Sequence, residues 1–144
     1  KRKELTTEGG LNLKHKRSFL ERLIKKLKKN KSRVSLFIEP SLNDVKDSKY
    51  LNVDCIELHT GKFCNYVNDQ IDYKKELKRI ENAANLGNKL GLEVHAGHGL
   101  NYKSAKILSK IDNIREFNIG HFLVGEAIFV GLGKTIKEFK KILK

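Results

Sequence analysis

The sequence predicts an α/β protein in which a parallel sheet packs against helices. Short, mostly apolar runs typical of strands alternate with amphipathic runs that have helical spacing. No Gly-x-Gly-x-x-Gly follows the first strand-like run, so a dinucleotide-binding sheet has little support. The 144 residues suffice for one domain with a core. Four strands do not close an eight-stranded barrel, which usually needs about 250 residues. An open sheet and part of a barrel both fit the pattern.

The first half of the chain carries two predicted strands. After a polar opening that ends in Gly-Gly, apolar residues recur at helical spacing from about 13 to 30. Residues 33–39 predict a strand that the only proline stops, and Ser41 is a suitable N-cap for a short helix. A second strand is predicted over 55–60. It ends at Gly61, and the polar segment after it predicts a loop.

The second half repeats the strand–helix pattern twice. The predicted elements are a long helix ending near 91, a strand over 93–96, a helix over 104–111, a strand over 115–120, an apolar run over 121–132 and a last helix over 134–144. Ile136, Phe139 and Leu143 share one face of the last helix, so we expect it to pack by that face.

Composition limits the classes of function. The net charge of +13 could attract a polyanionic partner such as a nucleic acid. The lysines, however, concentrate on helices around apolar stripes, which favours solvated helix faces, and no RNA-binding signature is present. The run over 121–132 is interrupted by Glu126 and is too short to span a membrane. Cys55 and Cys64 lie outside any metal-ligand pattern and predict reduced, structural thiols in a cytoplasmic protein.

Chemistry-bearing residues concentrate where the predicted strands end, which is where ligands bind in parallel α/β folds. Four of the five histidines lie at these ends, and only His15 lies elsewhere. The strand-end residues are Glu39, then Glu57 and His59, then 95–99, then 118–121. The sequence therefore predicts a ligand site at one edge of the sheet.

Each of these residues also has a structural interpretation. Glu57 and His59 alternate with apolar residues and share one strand face, so a core network and a catalytic role are equally open. His98 stands between glycines in a loop, where packing does not require an imidazole, and histidine is a residue type that can donate or accept a proton in catalysis. Gly120 and His121 open a helix, whose free N–H groups bind phosphate well.

Five stretches in this order and spacing resemble the pyridoxine 5′-phosphate synthase family: "LTTEGGL", "VSLFIEP", "IELHTG", "AGHGLNY" and "FNIGH". The resemblance runs over essentially all 144 residues, and "AGHGL" together with "NIGH" is fairly specific. Members of the family are TIM barrels, and the match covers only their later part. The resemblance implies that residues 1–144 form a single domain, the C-terminal half (about strands 5–8) of a (β/α)8 barrel with extra helices. The abrupt start without methionine fits this, and we expect the first four strands upstream.

The resemblance also implies an activity. The family condenses 3-amino-2-oxopropyl phosphate with 1-deoxy-D-xylulose 5-phosphate, without a metal or organic cofactor, and generally forms homo-oligomers. By resemblance His98 is the proton donor, and Glu57 stabilises the transition state. The substrate-binding residues implied are Thr6, for the pentulose phosphate, and Gly99, Gly120 and His121, for the amino-ketone phosphate.

Two positions depart from the family, and two other functions stay open. His95 stands where the family has an asparagine, and its role is open between a hydrogen-bonding spacer and a proton shuttle. Glu126 replaces an arginine common in the family, as a change at a surface or interface. Another phosphate-binding barrel, an isomerase or aldolase, is one alternative, although no predicted strand end carries the lysine of an aldolase. A basic module that binds nucleic acid is the other, supported only by the charge.

Overall fold

The computed structural model describes residues 9–15 and 17–143, which alternate between helices and strands. The strands are β1 (Ser35–Ile38), β2 (Cys55–His59), β3 (Glu93–Gly97) and β4 (Glu116–Asn118). The helices are α1 (Arg17–Lys29), α2 (Leu42–Tyr50), α3 (Gly61–Asn68), α4 (Lys74–Lys89), α5 (Tyr102–Leu108), α6 (His121–Val130) and α7 (Leu132–Ile142). The predicted α/β class is confirmed.

The four strands form one sheet in the order β1-β2-β3-β4, and every neighbouring pair is parallel. Each strand therefore lies beside the one that precedes it in the chain, and the connections run through helices. The register aligns Glu57 with His95 and His95 with Glu116, so these residues form one row across the sheet. All four carboxyl ends point to the same edge.

The two faces of the sheet differ in chemistry. One face carries Ile38, Ile56, Leu58, Val94 and Ala96, which are at most 1% exposed. On this side α2 lies against β1, and α4 lies against β2 and β3. The alternate positions of the strands carry ionisable and polar side chains, because successive side chains point to opposite faces. The core is thus built on one face, and the polar face is left for the site.

One predicted loop is wrong, because the segment after β2 is the helix α3, Gly61–Asn68. Its polar residues suggested a loop, but Phe63, Cys64 and Val67 are buried and fall on one helical face. Three apolar residues in eight were too weak a pattern to stand out. The correction matters for function, since α3 begins directly at the carboxyl end of β2.

Local signals explain most of the remaining boundaries. The side chain of Ser41 accepts a hydrogen bond from the Asp44 N–H and caps α2, as predicted. Helix α5 starts two residues earlier than predicted, because Asn101 and Ser104 form a capping box. Helix α1 begins at Arg17 rather than near residue 13.

The C-terminal helices are divided by Gly131, whose φ of 86° lies in the left-handed region. Phe139 of α7 is buried, whereas Ile136 is 40% exposed, so the predicted packing face is only partly buried. Within the described part of the chain, no helix combines the length and the apolar character needed to cross a bilayer.

Candidate active site

The predicted strand-end residues meet at one edge of the sheet. Glu39 follows β1, His59 ends β2, and His98 follows β3. Gly120 and His121, which are exposed, follow β4 and open α6. Parallel strands bring these positions to the same edge of the sheet, where the sequence predicts a site.

Glu57 lies half-buried on the polar face of β2. A Cβ atom at Gly97, two residues beyond the register partner of Glu57 on β3, would overlap the Glu57 carboxylate, so only glycine leaves room for this side chain. Burial raises the pKa of Glu57, although a hydrogen bond with Asn118 and the nearby His95 oppose the shift. The Glu57 carboxyl group is therefore a weaker acid than an exposed glutamate.

His98 sits directly after β3 in an uncommon backbone conformation. Its φ of 76° lies in the left-handed region, which non-glycine residues avoid. The buried hydroxyl of Thr60 lies 2.8 Å from the Gly97 carbonyl and 2.7 Å from the His98 carbonyl, and it can donate to either. The Cys64 thiol contacts the His98 carbonyl at 3.7 Å. Backbone strain of this kind persists where the surroundings impose it, and it is concentrated at functional sites.

The imidazole of His98 stacks on that of His59. Their ring centroids are 4.7 Å apart, and the planes differ by 29°. His59 Nδ1 lies 3.2 Å from Glu39 Oε1, and Phe37 packs edge-on against the His59 ring at 5.2 Å. Burial lowers the pKa of His59, and the nearby Glu39 opposes this only in part.

His95 lies one row deeper than the strand-end residues. It is buried in the middle of β3, with Nε2 2.8 Å from Glu93 and Nδ1 3.5 Å from Glu116. Arg33 also pairs with Glu93 at 2.6 Å, and the hydrogen bond from His95, followed by Arg33, lowers the pKa of Glu93. These contacts favour the hydrogen-bonding role over the proton shuttle that the sequence left open.

The same cluster has the spacing of a metal site. One ligand atom each of Glu93, His95 and Glu116 lies within 4.8 Å of the others. Arg33 already supplies a positive charge to Glu93, and both His95 nitrogens face carboxylates. The cluster therefore already forms an ion network among protein groups.

The predicted substrate-binding residues differ in their surroundings: Gly99 is closely packed, whereas Gly120 is in open space. Gly99 has a φ of 78° and packs close to α3, where a Cβ atom would lie 3.1 Å from Cβ of Cys64. Around Gly120 the space is open, and its carbonyl accepts the N–H of Val124 as α6 begins. Thr6 lies outside the described residues, so its predicted role stays a prediction.

Two contributors to the site, Thr60 and Arg79, were missed by sequence reasoning, and a third, Asn118, was among the predicted strand-end residues. Thr60 holds the His98 loop, Arg79 pairs with Glu39 at 3.4 Å, and Asn118 bonds to Glu57. Arg79 lies on α4 among many other basic residues and gives no signal of its own. Asn118 lies within the predicted strand-end residues 118–121, but its hydrogen bond with Glu57 was not predicted.

Comparison with protein families gives one match over the whole chain. The model of the family described as pyridoxal phosphate biosynthesis protein PdxJ matches residues 1–144.

Curated relatives agree with this match. Proteins named pyridoxine 5′-phosphate synthase from Pelagibacter ubique and Syntrophotalea carbinolica are 54% and 47% identical to the chain, over 99% of its length. The relative of the same name from Zymomonas mobilis is 47% identical, also over 99% of the chain. The aligned region spans 59%, 59% and 55% of these three relatives, respectively.

Proposed function

The chain belongs to the PdxJ family of pyridoxal phosphate biosynthesis proteins, and we propose that it carries the proton donor and the phosphate-binding loops of a pyridoxine 5′-phosphate synthase. The proposed reaction condenses 3-amino-2-oxopropyl phosphate with 1-deoxy-D-xylulose 5-phosphate and releases phosphate and water. The observation that carries the proposal is the convergence of His98 and Glu57 at one sheet edge, with Gly97 leaving space for the carboxylate.

We propose that the four strands are consecutive strands, about the fifth to the eighth, of a (β/α)8 barrel. Their sequential parallel order supports this, because a doubly wound sheet reverses its strand order at a switch point. The polar face supports it too. In a barrel this face would line the interior, where Glu57 and His95 would be shielded from water. Residues 1–144 would then form part of a single domain.

The proposed condensation consists mainly of steps that need proton transfer. Joining an amine to a ketone, losing phosphate and water, and closing a ring each require a proton to be added or removed. His98, at the mouth of the site, would donate a proton to a leaving oxygen. Glu57 would stabilise the positive charge that develops on the iminium nitrogen, at short range and partly out of water.

Backbone groups would hold the substrate phosphates. The loop at Gly99 and the N-terminus of α6 at Gly120 and His121 follow neighbouring strands. Unpaired N–H groups at a helix N-terminus attract phosphate, and glycine permits close approach. We propose that these loops bind the amino-ketone phosphate.

A product assay on the protein expressed from its complete reading frame tests the proposal. We expect pyridoxine 5′-phosphate to appear together with inorganic phosphate, and only when both substrates are present. An isomerase or a retro-aldolase would instead convert one sugar phosphate alone. Conversion of a single substrate, or no product with both, would refute the proposed activity.

A further inference from the structure

A chain of contacts leads from helix α4 to the predicted proton donor. Arg79 of α4 pairs with Glu39 Oε2 at 3.4 Å, and Oε1 of the same carboxylate lies 3.2 Å from His59 Nδ1. His59 in turn stacks on His98. Glu39 therefore contacts the ring that stacks on the predicted proton donor.

The stacked pair is tightly enclosed. A Cβ atom at Gly61 would lie 2.8 Å from Cδ2 of His98 and 3.0 Å from Cε1 of His59, so this glycine makes room for both rings. Phe37 lies against the edge of the His59 ring. The His59 side chain is only 11% exposed. The position of the His98 ring is thus coupled to that of His59.

One atom of this arrangement needs explanation. Nε2 of His59 is buried and has no hydrogen-bond partner among the described residues. Leaving a buried polar atom unpaired costs about 1–3 kcal/mol, and a phenyl ring would stack without that cost. A role that depends on the other nitrogen explains why an imidazole is present.

The contact with Glu39 specifies the form of that imidazole. When Nδ1–H donates to the carboxylate, Nε2 carries only a lone pair, and no N–H is buried unpaired. The protonated ring would bury an unpaired Nε2–H, and it would add a second positive charge beside a protonated His98. The surroundings therefore favour the neutral tautomer with the proton on Nδ1.

We propose that Glu39 and His59 are positioning residues for His98: the carboxylate fixes His59 as a neutral, Nδ1-protonated ring, and this ring orients the proton donor stacked on it. The inference rests on the proposed function, in which His98 donates a proton. It assigns a role to a carboxylate and an imidazole that do not themselves touch the reacting atoms.

Paired substitutions in the complete enzyme test the proposal. Glu39→Gln keeps the shape of the side chain but removes its charge, whereas Glu39→Asp keeps the charge on a shorter side chain. Because small displacements of a catalytic group cost up to about 100-fold in rate, we expect Glu39→Gln to lower kcat by about 10- to 100-fold with little change in KM. Glu39→Asp should stay closer to the parent. Glu81→Gln, which alters an exposed ion pair on α4, is the matched control and should not change kcat.

A spectroscopic readout separates failure of this inference from failure of the proposed activity. Nitrogen-15 NMR at neutral pH should show the neutral Nδ1–H tautomer of His59 in the parent and a smaller share of it in Glu39→Gln, because an uncharged amide accepts a weaker hydrogen bond and can also donate one, whether or not the protein forms product. A charged or Nε2-protonated His59 in the parent would overturn the proposal. In a parent that forms product, so would a Glu39→Gln variant that is as active as Glu39→Asp.

Discussion

At the scale of single residues, the site depends on space that two glycines leave for larger side chains. Gly97 admits the Glu57 carboxylate, and Gly61 admits the stacked rings of His59 and His98. Both glycines lie near the carboxyl ends of β2 and β3, at the same edge of the sheet. Absence of a side chain is here as functional as the presence of an imidazole.

Replacing Gly97 tests whether the site needs the space that this glycine leaves for the Glu57 carboxylate. In Gly97→Ala the new methyl group would displace the carboxylate, so we expect kcat to fall by about 100-fold or more. Steady-state kinetics with both substrates is the measurement. Gly133→Ala is the control, because the space around Gly133 in α7 is open and alanine there should be neutral or slightly stabilising. Equal activity of the two variants would contradict the role assigned to Gly97.

Replacing Thr60 tests the support of the His98 loop. Thr60→Val removes the hydroxyl that contacts the carbonyls of Gly97 and His98, and the loss of a buried hydrogen bond should cost about 1–3 kcal/mol of unfolding free energy. We expect kcat to fall as well, because the strained backbone of His98 loses a contact that holds it. Thr60→Ser keeps the hydroxyl and should recover most of both losses. Denaturant unfolding and kinetics provide the two numbers, and a serine variant no better than valine would argue against the hydroxyl.

At the scale of elements, the helix that sequence reasoning missed connects the site to the rest of the fold. Helix α3 starts at Gly61, carries the Cys64 thiol near the His98 carbonyl, and places Lys62 2.7 Å from Glu76 of α4. Arg79 contacts both Glu76, at 2.9 Å, and Glu39. An ion network thus joins α3, α4 and the end of β1.

The stability of this network should depend on pH. Burial opposes ionisation of Glu76, but Lys62 and Arg79 outweigh it, so the pKa of this carboxyl lies below its ordinary value. A lowered folded-state pKa stabilises the protein above the unfolded-state pKa, and this contribution is lost as the pH falls through the folded-state value. We expect Glu76→Gln to lower the free energy of unfolding by about 1–3 kcal/mol at pH 7.

Urea unfolding at several pH values measures this difference. The gap between parent and Glu76→Gln should shrink as the medium becomes acidic, since the parent then loses its charge as well. Glu81→Gln, which removes an exposed partner of Lys78 on the same helix, should cost less than about 1 kcal/mol. A gap for Glu76→Gln that stays constant down to strongly acidic pH would contradict the assignment.

The strands and long helices could be predicted because each has a strong local pattern. Apolar alternation located β2, helical spacing located α4, and Ser41 marked the start of α2. Helix α3 could not be predicted with the same ease, since its stability comes from burial against neighbours rather than from its own pattern. Tertiary packing decided that segment.

At the scale of the whole molecule, parallel topology is what made much of the site predictable. In a parallel sheet all carboxyl ends lie at the same edge, so His59, His98 and Gly120 meet there although they are far apart in the sequence. The partners that tune these groups were not predictable, because Arg79 and Thr60 reach the site through packing between elements. The strand-end residues could be located from the sequence, whereas the contacts between them and their partners depend on how the elements pack.

The charge of +13 gives a prediction about partners. A small phosphate bound by fixed N–H donors should respond weakly to salt, whereas a protein that neutralises many nucleic-acid phosphates loses about 1,000-fold or more in affinity between 50 and 200 mM salt. We expect KM for the phosphate substrates to change less than about tenfold over this range. Duplex DNA should bind no tighter than nonspecifically, with Kd above about 1 μM at physiological salt, as measured by fluorescence anisotropy. Tight DNA binding would favour the nucleic-acid module instead.

The most direct test of the central claim is the turnover of His98→Ala in the complete enzyme. If His98 is the proton donor, this variant should fold normally, bind phosphate ligands with near-parent affinity and lose about 100- to 10,000-fold in kcat. Circular dichroism and ligand titration establish folding and binding before the rate is compared. A folded His98→Ala variant that makes pyridoxine 5′-phosphate at the parent rate would contradict the account.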